Sequence, residues 1–339
     1  MAISPANFIN LTSDQLAKWL IEDIAYKIQI ARVWPFMGIQ GGKISYARTA
    51  QFDSGSIDAL ATILGDGDAT APADKTANPD TTNSTFTLGE LAVRYKLDYS
   101  VQDRFKVPND YDAVQSALAI RRLIYMYFRK LDLVQGASTL TGNFPSLNEV
   151  SPGGPINFCA PGQRFASTNP AAAAAKLDEL QRAFHLIRSN NGRPNAIMCN
   201  SRAARYIVSA FYNAGTLPEY VEAEWSDPIR GTVRAPQLAI NGVPIYINEL
   251  VASAGSPALT RVYFMVLGDA CEAGPTRGVT GIVPGPLKDT MFVRRESSEA
   301  PTSTNSSRIV VDYTFPVATA MGSSGSLSIL DDVNVNSFA

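Results

Sequence analysis

The sequence predicts an α+β chain in which long helices and separate strands interleave. Three observations predict it. Leu91, Val93, Tyr95, Leu97, Tyr99 and Val101 are apolar at successive odd positions, with Arg94, Lys96, Asp98 and Ser100 between them, the period of a half-buried strand. Val114, Leu118, Ile124, Phe128 and Leu131 hold helical spacing instead. Further on, short apolar runs alternate with two more helical patterns, with Gly, Pro and Asn marking the joints.

The first element follows a capping box, Thr12-Ser13-Asp14-Gln15, in which Gln15 stands three residues after the N-cap. Behind it Leu16, Leu20, Ile24 and Ile28 recur every four residues, giving a helix that Pro35 ends. It precedes every other element and has Trp19 and Trp34 to bury, so it reads as an arm that docks on something.

A long hairpin follows. Ile44–Phe52 is a plausible strand, and the alternating run from Leu91 to Val101 is its expected partner, about 35 Å long at ~3.3 Å per residue. Between them residues 53–83 are rich in Asp, Ala, Thr, Gly and Pro, with Lys75 the one lysine. Loops this long inside a compact domain are functional or disordered. An isolated ribbon is marginal in water, and this tip lacks apolar residues for a core of its own. A neighbouring copy of the same chain is the simplest candidate for holding it.

Asn109-Asp110 opens the helix that carries Val114 to Leu131 and runs to Gly136, about 38 Å of spine. Its other face bears Arg121, Arg122, Arg129 and Lys130, either a solvated face or a loose contact with packaged nucleic acid. Residues 137–168 read as loop. Asn169 caps the next helix with Pro170 at its first position, and Leu177, Leu180, Phe184 and Ile187 form its buried stripe. Asn195–Cys199 is a short strand, and Asn200-Ser201 caps a helix ending before Gly215. Strands are expected at Gln237–Ile240, Val243–Asn248 and Arg261–Leu267, with Asn241-Gly242 as a hairpin turn, and later at Met291–Arg295 and Arg308–Phe315.

Composition narrows the function. Lys and Arg total 29 against 31 Asp and Glu, a net charge of −2, which disfavours a protein whose main task is gripping nucleic acid. Charged residues are 18%, below the roughly 25% of ordinary soluble domains. A charge-poor surface is cheaper to desolvate against other subunits. Cys159, Cys199 and Cys271 share no metal-binding spacing and suit a reducing compartment. Asp14, Glu22 and Asp23 interrupt the apolar N-terminal stretch, so the expectation is a soluble chain, neither secreted nor membrane-spanning.

The candidate chemical motifs each lack a needed part. Gly38-Ile39-Gln40-Gly41-Gly42-Lys43-Ile44 has its first glycine one residue too close for a phosphate loop, and Ile44 replaces the magnesium-binding hydroxyl. It reads as a flexible turn. Asp66, Asp68 and Asp74 lack the terminal Glu of a calcium loop, Asn78 lying nearest that place. Gly322-Ser323-Ser324-Gly325-Ser326 ends in Ser where a nucleophile elbow ends in Gly. His185 is the one histidine and flanks an apolar helix face, without a second for a ligand pair. No catalytic, cofactor-binding or metal-binding residue is assigned. A soluble hydrolase working through a carboxylate pair stays formally open, with no spacing that picks out the pair.

The order of parts (helical arm, long hairpin with an Asp/Gly-rich tip, spine helix, α/β unit, returning strands) resembles the major capsid proteins of tailed bacteriophages, the HK97-like fold. Tyr95-Lys96-Leu97-Asp98-Tyr99-Ser100-Val101-Gln102-Asp103 is similar to the end of that family's extended loop, Asn241-Gly242-Val243-Pro244-Ile245 to its axial-domain hairpin, and Gly278-Val279-Thr280-Gly281-Ile282 to a late axial segment. The resemblance implies an N-terminal arm at 1–42 and an extended loop at 43–98. It implies a peripheral domain at 99–168 and 286–339, and an axial domain at 169–285.

It also implies a non-enzymatic protein that assembles with itself into hexamers and pentamers, closing an icosahedral head around double-stranded DNA in the virion, built in the bacterial cytoplasm. The partners implied are a separate scaffolding protein, a portal and a decoration protein, with no cofactor and no membrane. Some members crosslink a Lys to an Asn between subunits, and Lys75 is the lysine placed to try, without a basis for asserting that it does. Contact candidates between subunits are Trp19, Leu20, Trp34, Phe52, Asp66, Asp68 and Lys75. Arg121, Arg122, Arg129 and Lys130 are the candidates facing DNA. The same fold is compatible with an encapsulin-like compartment holding enzymes instead of a genome.

Overall fold

The computed structural model describes residues 24, 27–39, 43–49, 81–98, 111–132, 146–147, 170–189, 193–227, 231–252, 259–268, 278–284, 294–300, 308–321 and 326–334. The described elements start with one turn of 3-10 helix, Gln29–Arg32, and then β1 (Phe36–Ile39), β2 (Lys43–Thr49), β3 (Thr81–Thr87) and β4 (Gly89–Asp98). Helix α1 spans Tyr111–Lys130, α2 Pro170–Ser189 and α3 Ser201–Asn213, with β5 (Ala196–Cys199) between the last two. Strands β6 (Glu219–Asp227), β7 (Gly231–Ile240), β8 (Val243–Ile247), β9 (Leu259–Met265), β10 (Val279–Pro284), β11 (Arg294–Ala300), β12 (Arg308–Met321) and β13 (Leu327–Asn334) complete it. The α+β class is as the sequence predicts.

Two sheets make the body. In the first, β12 is the long central strand: β11 and β4 both pair with it antiparallel, and β10 pairs with its last residues, Ala318–Met321. Strand β1 then adds parallel to β10. The second sheet has six strands in the order β13-β9-β5-β8-β7-β6. Strand β5 is buried on both faces, and the pleat divides its residues between two cores. Ala196 and Met198 enter a core shared with α1 and the first sheet, while Ile197 and Cys199 enter one shared with α2 and α3.

Local chemistry explains the joints. Asn200 Oδ1 accepts from Ala203 N–H at 2.8 Å, the N-cap expected for α3. At its other end Thr216 N–H donates to Phe211 C=O and Gly215 N–H to Tyr212 C=O, a Schellman motif made accessible by Gly215 at φ +74°. Asn241 and Gly242, at φ 51° and 79°, both adopt the left-handed conformation that a two-residue turn between β7 and β8 requires.

Several expectations are corrected. Strand β2 pairs with β3, from Lys43↔Thr87 to Thr49↔Thr81, and not with the alternating run after Leu91. That run is β4, and its partner is β12, from Leu91↔Phe315 to Asp98↔Arg308. The reason is its apolar face: Leu91, Val93 and Tyr95 need the core under α1, which a two-stranded ribbon cannot supply. The turn expected around Gly38 holds β1 instead, because Gly281 N–H and the Thr280 hydroxyl both donate to Pro35 C=O and draw the segment alongside β10. Helix α1 has 20 residues, shorter than expected, and the strand expected at Met291–Arg295 starts at Arg294 and runs on to Ala300. The arm helix before residue 24 and the hairpin tip lie outside the described residues.

Candidate functional site

Helix α1 is the beam to which the other parts are tied. Tyr127 and Phe128 are fully buried on its inner face, as is Leu131 just after its end. Trp34 lies against the first two in edge-to-face contacts, at centroid distances of 6.4 and 6.0 Å. Its indole N–H donates to Tyr127 Oη at 3.0 Å, and Tyr127 also shares a 3.4 Å hydrogen bond with Thr319 on β12. Burial raises the Tyr127 phenol well above its ordinary pKa, so it stays neutral and works as a hydrogen-bonding hub. Trp34 was a candidate for contact between subunits. It is instead spent inside its own chain, because the 3-10 turn and β1 press the segment onto α1.

The same helix is stitched to the six-stranded sheet. Asn248, fully buried after β8, donates from Nδ2 to Phe128 C=O at 3.4 Å, and its backbone bridges to Ile28. Just beyond the helix, Asp132 is buried and accepts from the Tyr263 hydroxyl on β9 and from Ala252 N–H at 2.8 Å. Arg261 stands 3.5 Å away. Desolvation pushes the Asp132 pKa up, against the pull of these partners. Sequence reading did not single out Asp132, since nothing local marks a carboxylate whose partners lie about 130 residues on.

The basic face of α1 divides. Arg122 and Arg129 are exposed. Arg121 is half-buried and stacks over Tyr125, its guanidinium carbon 5.0 Å from the ring centre. Lys130 is buried, because it sits only ~60° around the helix from Tyr127, on the flank of the apolar face. Of the four, Lys130 is thus the one turned into the protein. Trp19, Leu20, Phe52, Asp66, Asp68 and Lys75 lie outside the described residues. His185 is exposed beside Phe184. No cluster of His, Cys, Asp and Glu able to hold a metal occurs among the described residues, and no described helix is long and apolar enough to cross a membrane.

Strands β2 and β3 form a sheet of their own, and no third strand joins it among the described residues. A two-stranded ribbon is marginally stable in water by itself. No family model and no curated protein matches the sequence. Solved structures do. The chain superposes on the holo-SrpI encapsulin complex of Synechococcus elongatus PCC 7942 with TM-score 0.60 at 15% identity, covering 92% of this chain and 89% of that one. A structure from Microbacterium phage Oxtober96 gives TM-score 0.55 at 13% identity over 90% of both chains. The capsid of the native GTA particle gives 0.50 at 14%, covering 89% and 90%.

The fold is the HK97-like capsid fold. The resemblance to the HK97-like fold is correct at the level of the fold.

Proposed function

We propose that the protein is a major capsid protein whose copies assemble, as hexamers and pentamers, into an icosahedral shell around packaged double-stranded DNA. The observation that carries this is the separate β2–β3 ribbon on an HK97-like body: about thirty further residues join its strands, and it needs a surface outside itself. The arm (1–42), extended loop (43–98), peripheral domain (99–168 and 286–339) and axial domain (169–285) are the divisions we assign to that shell subunit. Each copy offers several modest contacts. Singly they are weak enough for a misplaced subunit to leave, and together in a closed shell they hold. Near-neutral charge suits an inner wall that meets DNA without gripping it, and Arg122 and Arg129 are the exposed cations of α1 available for such contact. The proposal includes no catalytic step. Assembly takes place in the bacterial cytoplasm with a separate scaffolding protein, a portal and a decoration protein as partners, and the product is the virion head.

The superposition on an encapsulin complex supports a second reading, a shell around protein cargo. Both are tested by producing the full chain and imaging it by negative-stain electron microscopy, with the contents of any particle digested by nuclease and by protease. Closed shells with nuclease-sensitive contents support the capsid, and shells with a protein cargo support the compartment. A dispersed monomer contradicts both.

A further inference from the structure

Among the described residues, the exposed large hydrophobics are Tyr212 (59%), Leu217 (82%) and Tyr220 (58%), all within one short stretch joining α3 to β6. Apolar side chains gathered at one place on a surface mark a contact site more often than scattered ones do. Their surroundings define which contact. Arg202, Arg205 and Tyr212 fall within about 80° of each other around α3, so one exposed face of the helix is basic at its start and aromatic at its end. On β6 the exposed residues Tyr220, Glu222 and Glu224 share one face, opposite Leu238, Pro236 and Arg234 of β7. Leu238 packs into the core that α2 and α3 cover, so this is the helix-bearing face of the sheet. Helix α3 and the β6–β7 surface therefore form the two sides of a step with the apolar residues at its angle. Strand β6 is the edge of its sheet, left without a strand partner on its outer side among the described residues.

The charges on the two sides are opposite. Glu224 is paired to Arg234 at 2.9 Å, and Glu219 accepts from Gly242 N–H at 3.1 Å. Arg202, Arg205 and Glu222 make no hydrogen bond or ion pair among the described residues. Two cations on the helix side and one carboxylate on the strand side thus point outward on either flank of an apolar patch. A surface with both signs and an apolar middle is complementary to itself.

We propose that this step is the seat of a second copy of the same chain, with Arg202 and Arg205 of one copy against Glu222 of another and Tyr212, Leu217 and Tyr220 buried between them. This rests on the shell reading, and it names the residues of one of the contacts that reading needs.

The test uses two variants of the full chain, Arg205→Cys and Glu222→Cys, mixed under mild oxidation, with wild type as the control for the native cysteines. The expected result is a disulfide-linked dimer that requires both variants, its crossing point mapped to positions 205 and 222 by mass spectrometry. In parallel, Glu222→Arg lowers the assembled fraction about tenfold or more, and adding Arg202→Glu and Arg205→Glu to the same chain restores it. All of these positions are exposed, and unchanged circular dichroism and melting checks that the variants fold. Shells that form without the specific crosslink, or with another partner on this face, overturn the inference and leave the shell reading standing. The specific crosslink in rings or dimers without any shell upholds the inference and overturns the shell reading. Neither crosslink nor shell overturns both.

Discussion

The indole N–H of Trp34 donates to the buried hydroxyl of Tyr127 at 3.0 Å, across 93 positions of sequence. The bond fastens the segment before β1 to α1, and through Thr319 to the central strand of the first sheet. Its removal is expected to loosen the junction from which the arm and the ribbon both start. Trp34→Phe removes the indole donor from the Tyr127 hydroxyl and leaves a smaller ring beside it, a cost of about 1–3 kcal/mol. The midpoint of urea unfolding measures it, and an unchanged midpoint contradicts the hub.

Gly281 sits where β1, β10 and α1 converge. A Cβ there would lie 2.5 Å from Phe36 Cε1 and 2.9 Å from Tyr127 Oη. Gly281→Ala is expected to destabilise by about 1–3 kcal/mol, the usual cost of forcing extra volume into a filled site. Thermal unfolding beside wild type checks this, and equal stability would mean that β1 does not press on β10 as described.

Two carboxylates give pH dependences of opposite sign. The Arg94 guanidinium, hydrogen-bonded through Nε at 2.6 Å and Nη2 at 2.9 Å, holds the Asp312 pKa below its usual value. That contribution is present above the unfolded pKa and fades as pH falls through the folded one. Burial raises the Asp132 pKa, so between the unfolded value and the raised folded one the native state binds the extra proton, and stability from this group is lost as pH rises. Denaturation midpoints are expected to fall more steeply from pH 7 to pH 4 in Asp132→Asn than in wild type, and less steeply below about pH 4 in Asp312→Asn. Parallel profiles in all three proteins contradict the assignment.

Cys199 is fully buried in β5, and desolvation, with the charge of Glu249 adding to it, pushes its thiol up to about 12. The thiolate is the reactive form. Alkylation of the native protein at pH 8 followed by peptide mapping is expected to leave Cys199 unmodified until urea unfolds the chain. Native labelling at rates typical of an exposed thiol would show that the sheet opens.

Much of the fold is legible in the sequence where the signal is local. The alternation of β4, the caps of α3, Pro170 at the start of α2 and the Asn241-Gly242 turn each depend on neighbours within a few residues. Pairing is not local. Alternation says that Leu91, Val93 and Tyr95 bury one face, and it is silent on whether the adjacent strand is β2 or β12. Strand β6 escapes notice because Glu219, Glu222 and Glu224 give it the composition of a solvated segment, which an edge strand with one open face tolerates. Trp34 and Lys130 show the same limit at single residues. An aromatic before a proline fits a partner's surface as well as its own core, and a lysine beside a buried stripe looks outward until its angle around the helix is known.

The long tip is open to a direct trial. Deleting residues 53–80 spares β3 and removes the segment expected to need a neighbour. The variant is expected to keep the wild-type melting temperature within a few degrees and to lose closed particles. Normal particles from this deletion would show that the tip is not part of the contact.

The central claim is that copies of this chain close into a shell, and sedimentation velocity of the purified full-length protein, followed by cryo-electron microscopy of the fastest fraction, tests it most directly. The expected result is a discrete large species that reconstructs with icosahedral symmetry and shows the β2–β3 ribbon lying on an adjacent subunit. A single slow boundary at the mass of one chain, unchanged as concentration rises, would contradict it.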